Sequence, residues 1–437
     1  MSVIACSRQS LLLRDSGRIM SGVRDTPTRS TPTKMKTLAC FSIIALVASL
    51  GLAAQAQTYS VIHTFTGEGG DGSNPDAGLT IRNGVLYGTT LFSIFQAGPG
   101  SVFQIQHLGN NWVTTTISQL SAGGYGAGAR VIFGPDGHPY STTTQGGIDP
   151  GYGVVFDLLI PATICKTANC FWKENVLYKF QGIPDGYWPS SGDLVWDQQG
   201  NLYGTTIGGG EHTHGTVYEL ARSGNSYTES VIYSFIGSDG AYPYSGVVFD
   251  RNGNLFGTTV AGGAYNLGAV YELSYKPGVG WTNTVLHSFQ NGSDGQDPYA
   301  GLIIDASGNL YGTTDEGGSG NGGTVYELLP SGNGWTFKVL YSFAGKSPCG
   351  PQAALTIDGV GNLYGTTVCD GAHGFGNVFK LTNSGNSWTY TSLYDFTGGS
   401  DGADPRSTVT FDANGNLYGT TPEGGVRNNG VVWMITP

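Results

Sequence analysis

The chain has 437 residues, of which 72 are glycine; 12% are charged and 12% are aromatic. Its net charge of −11 argues against nucleic acid and anionic membrane surfaces as partners. The abundant aromatic residues exclude an intrinsically disordered chain, because disordered chains lack the apolar residues that build a core.

The first 56 residues are predicted to lie outside the folded domain. An apolar run follows Met35-Lys36 and ends at Ala54-Gln55-Ala56, the layout of a signal peptide over 35–56 with a small-residue cleavage site. Residues 1–34 are predicted to be a non-native upstream extension. A retained membrane anchor is the alternative for 35–56, since its length just spans a bilayer. We therefore expect an exported protein, secreted or periplasmic, with one domain over 57–437 and no membrane span after cleavage.

The remainder repeats one phrase, Gly-Asn-Leu-Tyr-Gly-Thr-Thr, in five good copies and two divergent ones. Its aromatic position recurs every 53 to 63 residues, at Tyr87, Tyr140, Tyr203, Phe256, Tyr311, Tyr364 and Tyr418. This period is typical of propeller blades. Each unit contains four short β-type runs bounded by Gly, Asn or Asp, in the fifth unit at 302–304, 310–314, 325–328 and 335–343. The pattern predicts an all-β propeller of seven four-stranded blades.

The two ends of the repeat region complement each other. The seventh unit stops at 430–435, its third run, and its fourth run is missing. Residues 61–65 match the fourth runs at 285–289 and 339–343, although they precede the first unit. An N-terminal strand over 58–65 is therefore predicted to complete the last blade, which closes the ring and removes exposed sheet edges.

An aspartate begins the short turn between the first and second runs of most units. These residues are predicted to be turn formers, because Asp accepts hydrogen bonds from the backbone just downstream. They are Asp197, Asp250, Asp305, Asp358 and Asp412.

Four cysteines remain after signal cleavage, in two local pairs. Cys165 and Cys170 lie in the extra residues of the second unit, where a disulfide would tie off the insertion. Cys349 and Cys369 lie in two loops of the sixth unit that share one face of a propeller, which predicts a second disulfide. Zinc binding is the weaker alternative, since no zinc-type spacing is present.

Five units are entered through an Asp-Gly-x-x-Pro loop, whose carboxylates are predicted to lie near the channel mouth. These aspartates are Asp71, Asp185, Asp239, Asp294 and Asp401. They either cap turns, or bind calcium where Asp294 joins Asp297 and Asp401 joins Asp404, or act on glycosides as paired carboxylates.

One loop of the third unit departs from its counterparts. It places Glu211, His212 and His214 within four residues, which suggests a metal site or an acid–base cluster together with Asp185. Neutral variation of a loop is the alternative interpretation.

Aromatic residues also gather in the entering loops. Trp188 is a ligand-face candidate, as are the five entering-loop aspartates, and it is accompanied by Tyr187, Tyr242, Tyr244 and Tyr299. Stacking on sugars and packing between blades are the two interpretations.

The repeated phrase, the Gly-Gly that follows it and the Gly-Thr-Val-Tyr-Glu-Leu segments at 215–220 and 323–328 resemble the GloVer (Gloeo/Verruco) tandem repeat. That repeat occurs in exported bacterial proteins called choice-of-anchor repeat proteins. The resemblance implies an extracellular propeller with no established activity, so no catalytic residue is carried over. Its relatives end in varied surface-sorting signals, whereas this chain stops at Thr436-Pro437, which favours secretion or periplasmic residence. The start of each unit is more distantly similar to NHL-type blades, which favours binding.

We therefore expect a non-catalytic binding or scaffold protein, monomeric, that recognises a glycan or protein through its Asp-Gly-x-x-Pro and Gly-Gly loops. No cofactor is expected, with calcium as the exception left open. A carbohydrate-active lyase or hydrolase is the first alternative, and a structural protein of the cell envelope is the second.

Overall fold

The computed structural model describes residues 57–437 except 94–97, 121–123, 148–150, 162–170, 190–191, 225, 333, 346 and 386. The predicted extension, the signal peptide and the Cys165–Cys170 pair lie outside the described residues. Within the described part there are strands and no helix, so there is no apolar helix long enough to cross a membrane. Seven four-stranded sheets and two short two-stranded sheets account for all the strands.

The strands are numbered in chain order. They are β1 (Thr58–Thr64), β2 (Thr80–Arg82), β3 (Val85–Thr90), β4 (Ser101–Leu108), β5 (Asn111–Gln119), β6 (Gly124–Tyr125), β7 (Ile132–Phe133), β8 (Pro139–Thr143), β9 (Gln145–Gly146), β10 (Val154–Leu159), β11 (Lys173–Lys179), β12 (Gly186–Tyr187), β13 (Val195–Trp196), β14 (Leu202–Thr206), β15 (Gly208–Gly209), β16 (Thr216–Ser223), β17 (Ser226–Ser234), β18 (Val248–Phe249), β19 (Leu255–Thr259), β20 (Ala269–Lys276), β21 (Gly280–Ser288), β22 (Ile303–Ile304), β23 (Leu310–Thr314), β24 (Thr324–Ser331), β25 (Gly334–Ser342), β26 (Thr356–Ile357), β27 (Leu363–Thr367), β28 (Asn377–Asn383), β29 (Trp388–Asp395), β30 (Thr410–Phe411), β31 (Leu417–Thr421) and β32 (Val431–Thr436).

The four-stranded sheets are the seven blades of a β-propeller. Blades one to six are β2–β5, then β7, β8, β10 and β11, then β13, β14, β16 and β17, and then β18–β21, β22–β25 and β26–β29. Blade seven is β30, β31, β32 and β1. The first strand of each blade lines the central channel and the fourth lies at the rim. Packing between neighbouring blades buries the apolar residues of the second and third strands.

The N-terminal strand closes the ring, as predicted. Strand β1 pairs antiparallel with β32, from Thr58 opposite Thr436 to Thr64 opposite Val431. The next residue, Phe65, is fully buried. The first strand thus completes blade seven as its outermost strand, and the outer edge of β32 is paired.

The Asn and Tyr of the repeated phrase hold the turn that precedes them. In blade five, Asp305 accepts hydrogen bonds from the backbone amides of Ser307 and Asn309, at 2.8 and 2.9 Å. The Asn309 side-chain amide and the Tyr311 hydroxyl donate to its other oxygen, at 2.9 and 3.2 Å. Asp197, Asp250, Asp358 and Asp412 accept the same backbone and Asn hydrogen bonds. The prediction that these aspartates form turns is confirmed.

The second Gly of the phrase leaves room for an aromatic ring of the third strand. A Cβ on Gly312 would lie 2.3 Å from the Tyr326 hydroxyl. The rings at this position are fully buried in all six blades that keep the Gly: Phe103, Tyr218, Tyr271, Tyr326, Phe379 and Trp433. Close contact, and not an unusual backbone angle, therefore requires glycine here.

The two threonines of the phrase have different partners. The first donates to a carbonyl of the next blade, as Thr205 does to Ser245 at 2.8 Å and Thr420 to Ala77 at 3.0 Å. The second donates to the carbonyl two residues downstream, as Thr206 does to Gly208 at 2.9 Å. The residues of the phrase therefore stabilise the turns and strands within each blade and the contacts between neighbouring blades.

The predicted disulfide between Cys349 and Cys369 is confirmed. It joins the loop entering blade six to the loop after the second strand of that blade, with the two Cα atoms 4.7 Å apart. We call the end of the propeller that carries these two kinds of loop the loop face.

Candidate functional site

A central cavity of about 680 Å³ is lined by residues from all seven blades. Along the approach to the first strand in blades four to seven, buried residues alternate with more exposed ones, as the period of an extended chain requires. The residues nearest the loop face are termed the mouth tier: Asp76, Gly128, Tyr244, Tyr299, Gln352 and Arg406. Residues two positions further along include Arg130 and Asp193, and the deepest ones are largely aliphatic.

Two tyrosines from adjacent blades stand side by side in the mouth tier. The ring centroids of Tyr244 and Tyr299 are 5.2 Å apart, in an edge-to-face arrangement. Gln352, from the next blade, also lines the cavity, and its side-chain amide donates to Asp315 at 3.1 Å. This arc presents aromatic surface next to groups that form directed hydrogen bonds.

Behind this arc lies a group of three carboxylates. Gln296 donates to Glu316 at 2.8 Å and to Asp297 at 3.3 Å. Asp315 is only 2% exposed, and its Oδ1 atom has no hydrogen-bond partner in the described protein. Burial, with Glu316 and Asp297 nearby, raises the pKa of Asp315 to about 6 although the Gln352 hydrogen bond opposes the shift. The pKa of Asp297 is also raised, by burial and by Glu316. This side of the mouth therefore disfavours additional negative charge.

The other side of the cavity carries two arginines balanced by carboxylates. Arg130 and Asp193, from adjacent blades, form an ion pair at 2.5 Å. Burial raises the pKa of Asp76, and the charge of Arg406 opposes that shift. Burial and Glu423 likewise raise the pKa of Asp404, again opposed by Arg406. Neither arginine is thus a cation without nearby compensation.

The aspartates of the Asp-Gly-x-x-Pro loops do not line this cavity. Asp185 accepts hydrogen bonds from the Tyr178 hydroxyl at 2.9 Å and the Gln181 amide at 2.8 Å, which ties the loop to the fourth strand of the preceding blade. Asp71, Asp239, Asp294 and Asp401 are held in the same way by the equivalent strand end. In the structure these five carboxylates cap turns and do not form a ring on the channel wall.

The residue pairs predicted for calcium are held by different partners. Asp294 bonds to His287 and the Gln290 amide, whereas Asp297 faces Gln296 and Glu316. Asp401 bonds within its own turn, and Asp404 lies near Arg406. Across the described ranges, no group of three or more His, Cys, Asp or Glu side chains is arranged to hold a metal ion. Calcium binding stays a prediction.

The predicted acid–base residues of blade three are not brought together. Glu211 and His212 are exposed, and the Glu211 amide donates to Ser234 at 2.9 Å. The His214 ring packs edge-on against Tyr242, with centroids 6.1 Å apart. In the described part of the chain no hydrogen bond links these side chains to one another or to Asp185. Their catalytic role stays a prediction.

The residue before the proline of the Asp-Gly-x-x-Pro loops has a left-handed backbone in every copy. The φ angles are 56° at Asn74, 58° at Trp188, 59° at Tyr242, 55° at Asp297 and 56° at Asp404. Asn and Asp tolerate this region, whereas for other non-glycine residues it costs about 1–2 kcal/mol. Trp188 and Tyr242 nevertheless occupy it, and they are 47% and 40% exposed. Two aromatic side chains are therefore displayed on the loop face at a conformational cost.

Comparison with protein families identifies the repeat. The model of the Gloeobacter/Verrucomicrobia repeat matches residues 163–280 and 274–437, more than half of the chain. The chain belongs to this family. Comparison with curated proteins gives no match.

Solved structures similar to this member of the Gloeobacter/Verrucomicrobia repeat family are also propellers. A ulvan lyase, described as a new polysaccharide lyase family, aligns with a TM-score of 0.52 at 12% identity over 86% of this chain and 95% of its own. A putative glucose dehydrogenase from Thermus thermophilus aligns with a TM-score of 0.43 at 18% identity, over 72% of this chain and 98% of its own. At these identities the likeness shows the fold alone.

Several residues of the candidate site escaped the sequence analysis. Arg130 and Asp193 occupy a position where blades four and five have Gly246 and Gly301, and Asp315 occupies one where blades four and six have Val260 and Val368. The sequence signal that could have found these residues is that each differs from the residue at the same position of the Gloeobacter/Verrucomicrobia repeat in other blades. It carries little weight until the fold shows that the position faces the channel.

A half-buried carboxyl pair between blades two and three, Glu229 and Asp185, should make stability depend on pH. Burial and the nearby Asp185 raise the pKa of Glu229 to about 7, from an ordinary value of about 4.3. Because the folded pKa is the higher one, the pair costs nothing below about pH 4, destabilises the fold increasingly between about pH 4 and pH 7, and has a constant cost above that.

We expect Glu229→Gln to melt like the native protein at pH 4 and to be more stable by about 1–2 kcal/mol at pH 8, after allowing for solvent screening. Melting temperatures of both proteins between pH 4 and 8 test this, with the exposed Glu211→Gln as control. A difference between Glu229→Gln and the native protein that does not change with pH would contradict the assignment.

Proposed function

We propose that this protein is an exported, non-catalytic binding protein that takes a neutral glycan at the mouth of its central channel. The observation that carries the proposal is the mouth tier, where Tyr244 and Tyr299 stand beside Gln352 above a cavity of about 680 Å³. Pockets of this size, with mixed aromatic and polar walls, suit small ligands and chain ends.

The chemistry of the arc supports a sugar. A sugar ring has an apolar C–H face and a rim of hydroxyl groups. Tyrosine offers rigid apolar surface with a polar tip at low entropic cost. The Gln352 side-chain amide, which lines the cavity, can both donate and accept hydrogen bonds with sugar hydroxyl groups.

The charge distribution supports a neutral ligand. Asp297, Asp315 and Glu316 lie behind the tyrosine arc, and Asp315 already has a raised pKa. A uronate or sulfate placed there would add another negative charge to that group. On the opposite side of the cavity, the positive charge of Arg130 is already compensated by the Asp193 carboxylate, which lies 2.5 Å from the guanidinium group.

The Cys349–Cys369 disulfide supports export, because disulfides persist in oxidising compartments. It lies on the loop face and braces the two loops of blade six. Residue Gln352 is three positions from Cys349 in the entering loop, so the disulfide also limits movement of the mouth tier.

Enzymatic cleavage of a glycan is the alternative function. It is considered because a ulvan lyase is among the solved structures with a similar fold. Of the two tyrosines of the arc, Tyr299 is not suited to act as the base of such a reaction. Burial and the adjacent carboxylates raise the pKa of Tyr299, so its phenol stays protonated near neutral pH and is a poor base.

The test is the melting temperature of residues 57–437 with starch, xylan and mixed-linkage β-glucan, and with alginate and pectin as anionic comparisons. A ligand at a hundred times its Kd stabilises the folded state by about 2.7 kcal/mol. We expect a shift with one of the neutral polymers that Tyr299→Ala abolishes and Tyr275→Ala, on the opposite end of blade four, retains. A shift only with an anionic polymer, or none at all, would contradict the proposal. Release of reducing ends would favour the enzyme alternative.

A further inference from the structure

Two exposed aromatic residues extend the aromatic surface beyond the channel mouth. Trp188 and Tyr242 occupy the same position in the loops entering blades three and four, on the loop face. Tyr242 lies two residues before Tyr244 of the mouth tier, so the two side chains belong to one short loop. Tyr242 and the channel site are therefore continuous along the chain.

Backbone hydrogen bonds fix both residues in place. The Trp188 amide donates to the Tyr152 carbonyl at 2.9 Å, and the Ile207 amide donates to the Trp188 carbonyl at 3.1 Å. The Tyr242 amide donates to the His214 carbonyl at 2.8 Å, and the Val260 amide donates to the Tyr242 carbonyl at 3.2 Å. Each residue is thus anchored to the preceding blade and to its own blade.

Neighbouring rings support the exposed ones from the side. Tyr187 lies edge-on to Trp188 with centroids 5.0 Å apart, and Tyr152 lies 5.9 Å from Tyr187. The His214 ring supports Tyr242 in the same way at 6.1 Å. These contacts restrict the rotation of the two exposed side chains, which lowers the entropy lost on binding.

Folding does not explain these two residues. The equivalent positions of blades one, five and seven carry Asn74, Asp297 and Asp404, which suit the left-handed backbone that all five share. Trp188 and Tyr242 keep that backbone against their own preference and leave much of their rings in solvent. Unfavourable backbone conformations retained in this way concentrate at binding sites.

We infer that Trp188 and Tyr242 form an outer stacking surface for successive units of a glycan chain whose end or branch occupies the channel mouth. The inference rests on the proposed function and deepens it, since it makes the ligand an oligosaccharide of several units and not a single sugar. The two positions recur from one blade to the next, as the units of an extended chain do. The exposed rings offer stacking area without a charge of their own, which matches a neutral glycan.

The experiment compares short and long probes on the same protein. Binding of maltose and maltohexaose, of xylobiose and xylohexaose, and of cellobiose and cellohexaose is measured by titration calorimetry with the native protein and with Trp188→Asn, Tyr242→Asn and the double variant. Asn is the residue of the equivalent position in blade one, so the variants should melt no lower than the native protein. Tyr275→Asn, which changes an exposed tyrosine at the opposite end of blade four, is the control.

We expect one hexasaccharide to bind the native protein at least about tenfold more tightly than its disaccharide. The double variant should lose that gain while it keeps its affinity for the disaccharide, and the control should change neither. Equal affinity for both lengths, or a gain that survives in a folded double variant, would overturn this inference and leave the proposed function standing. Binding of no probe by the native protein would overturn both.

Discussion

Removal of residues 58–65 is expected to lower the free energy of unfolding by more than about 5 kcal/mol, or to cause aggregation. Strand β1 is the whole outer strand of blade seven, and its loss exposes the edge of β32. Phe65 is fully buried beside Phe103, and losing a buried Phe side chain alone costs about 3–5 kcal/mol.

Thermal melting of chains that begin at residue 57 and at residue 66 measures this effect. Addition of a synthetic peptide of residues 57–66 to the shorter chain is the control, since it should restore part of the lost stability by pairing with β32. An unchanged melting temperature of the shorter chain would show that the first strand does not close the ring.

Replacement of Gly312 by Ala is expected to destabilise the fold by about 3 kcal/mol, the upper end of the usual cost of overpacking. The added Cβ would lie 2.3 Å from the hydroxyl and 2.5 Å from the ring of Tyr326. That ring is fully buried between blades and has no free space to move into. The clash must therefore shift the third strand or the neighbouring blade.

Gly334→Ala is the matched control. Gly334 lies in the exposed hairpin of the same blade, where an added Cβ meets no atom within 4 Å. Its substitution should change stability by no more than about 0.5 kcal/mol. Denaturant unfolding of both variants measures the difference, and similar effects of the two would refute the view that the second Gly of the phrase is required by the packed ring.

The fold could be predicted from the sequence because its signals are local and repeated seven times. The turn aspartates such as Asp305 act on backbone amides within four residues. The pairing of β1 with β32 follows from matching segments at the two ends, and the Cys349–Cys369 bond follows from the position of two loops in one blade. Each of these inferences needs only the repeat and the geometry of a blade.

The candidate site was harder to predict from the sequence, because its residues are not repeated from blade to blade. Repetition drew attention to the Asp-Gly-x-x-Pro aspartates, yet Asp185 is bonded to Tyr178 and serves the turn. The residues on the channel wall, such as Asp193 and Gln352, stand where the repeat varies. A side chain that faces a shared cavity needs no counterpart in the next blade, so no repeated sequence pattern indicates its role. The left-handed backbone at Trp188 likewise could be recognised only from the structure.

Repeated residues build the propeller, whereas we propose that the varied residues of the mouth tier bind the ligand. Hydrogen–deuterium exchange, with and without the neutral polysaccharide that gives the largest thermal shift, tests it most directly. We expect the strongest added protection in residues 241–246 and 296–302, which carry Tyr244 and Tyr299. Protection confined to the turns at 197–201 and 305–309, at the opposite end of the propeller, would contradict it.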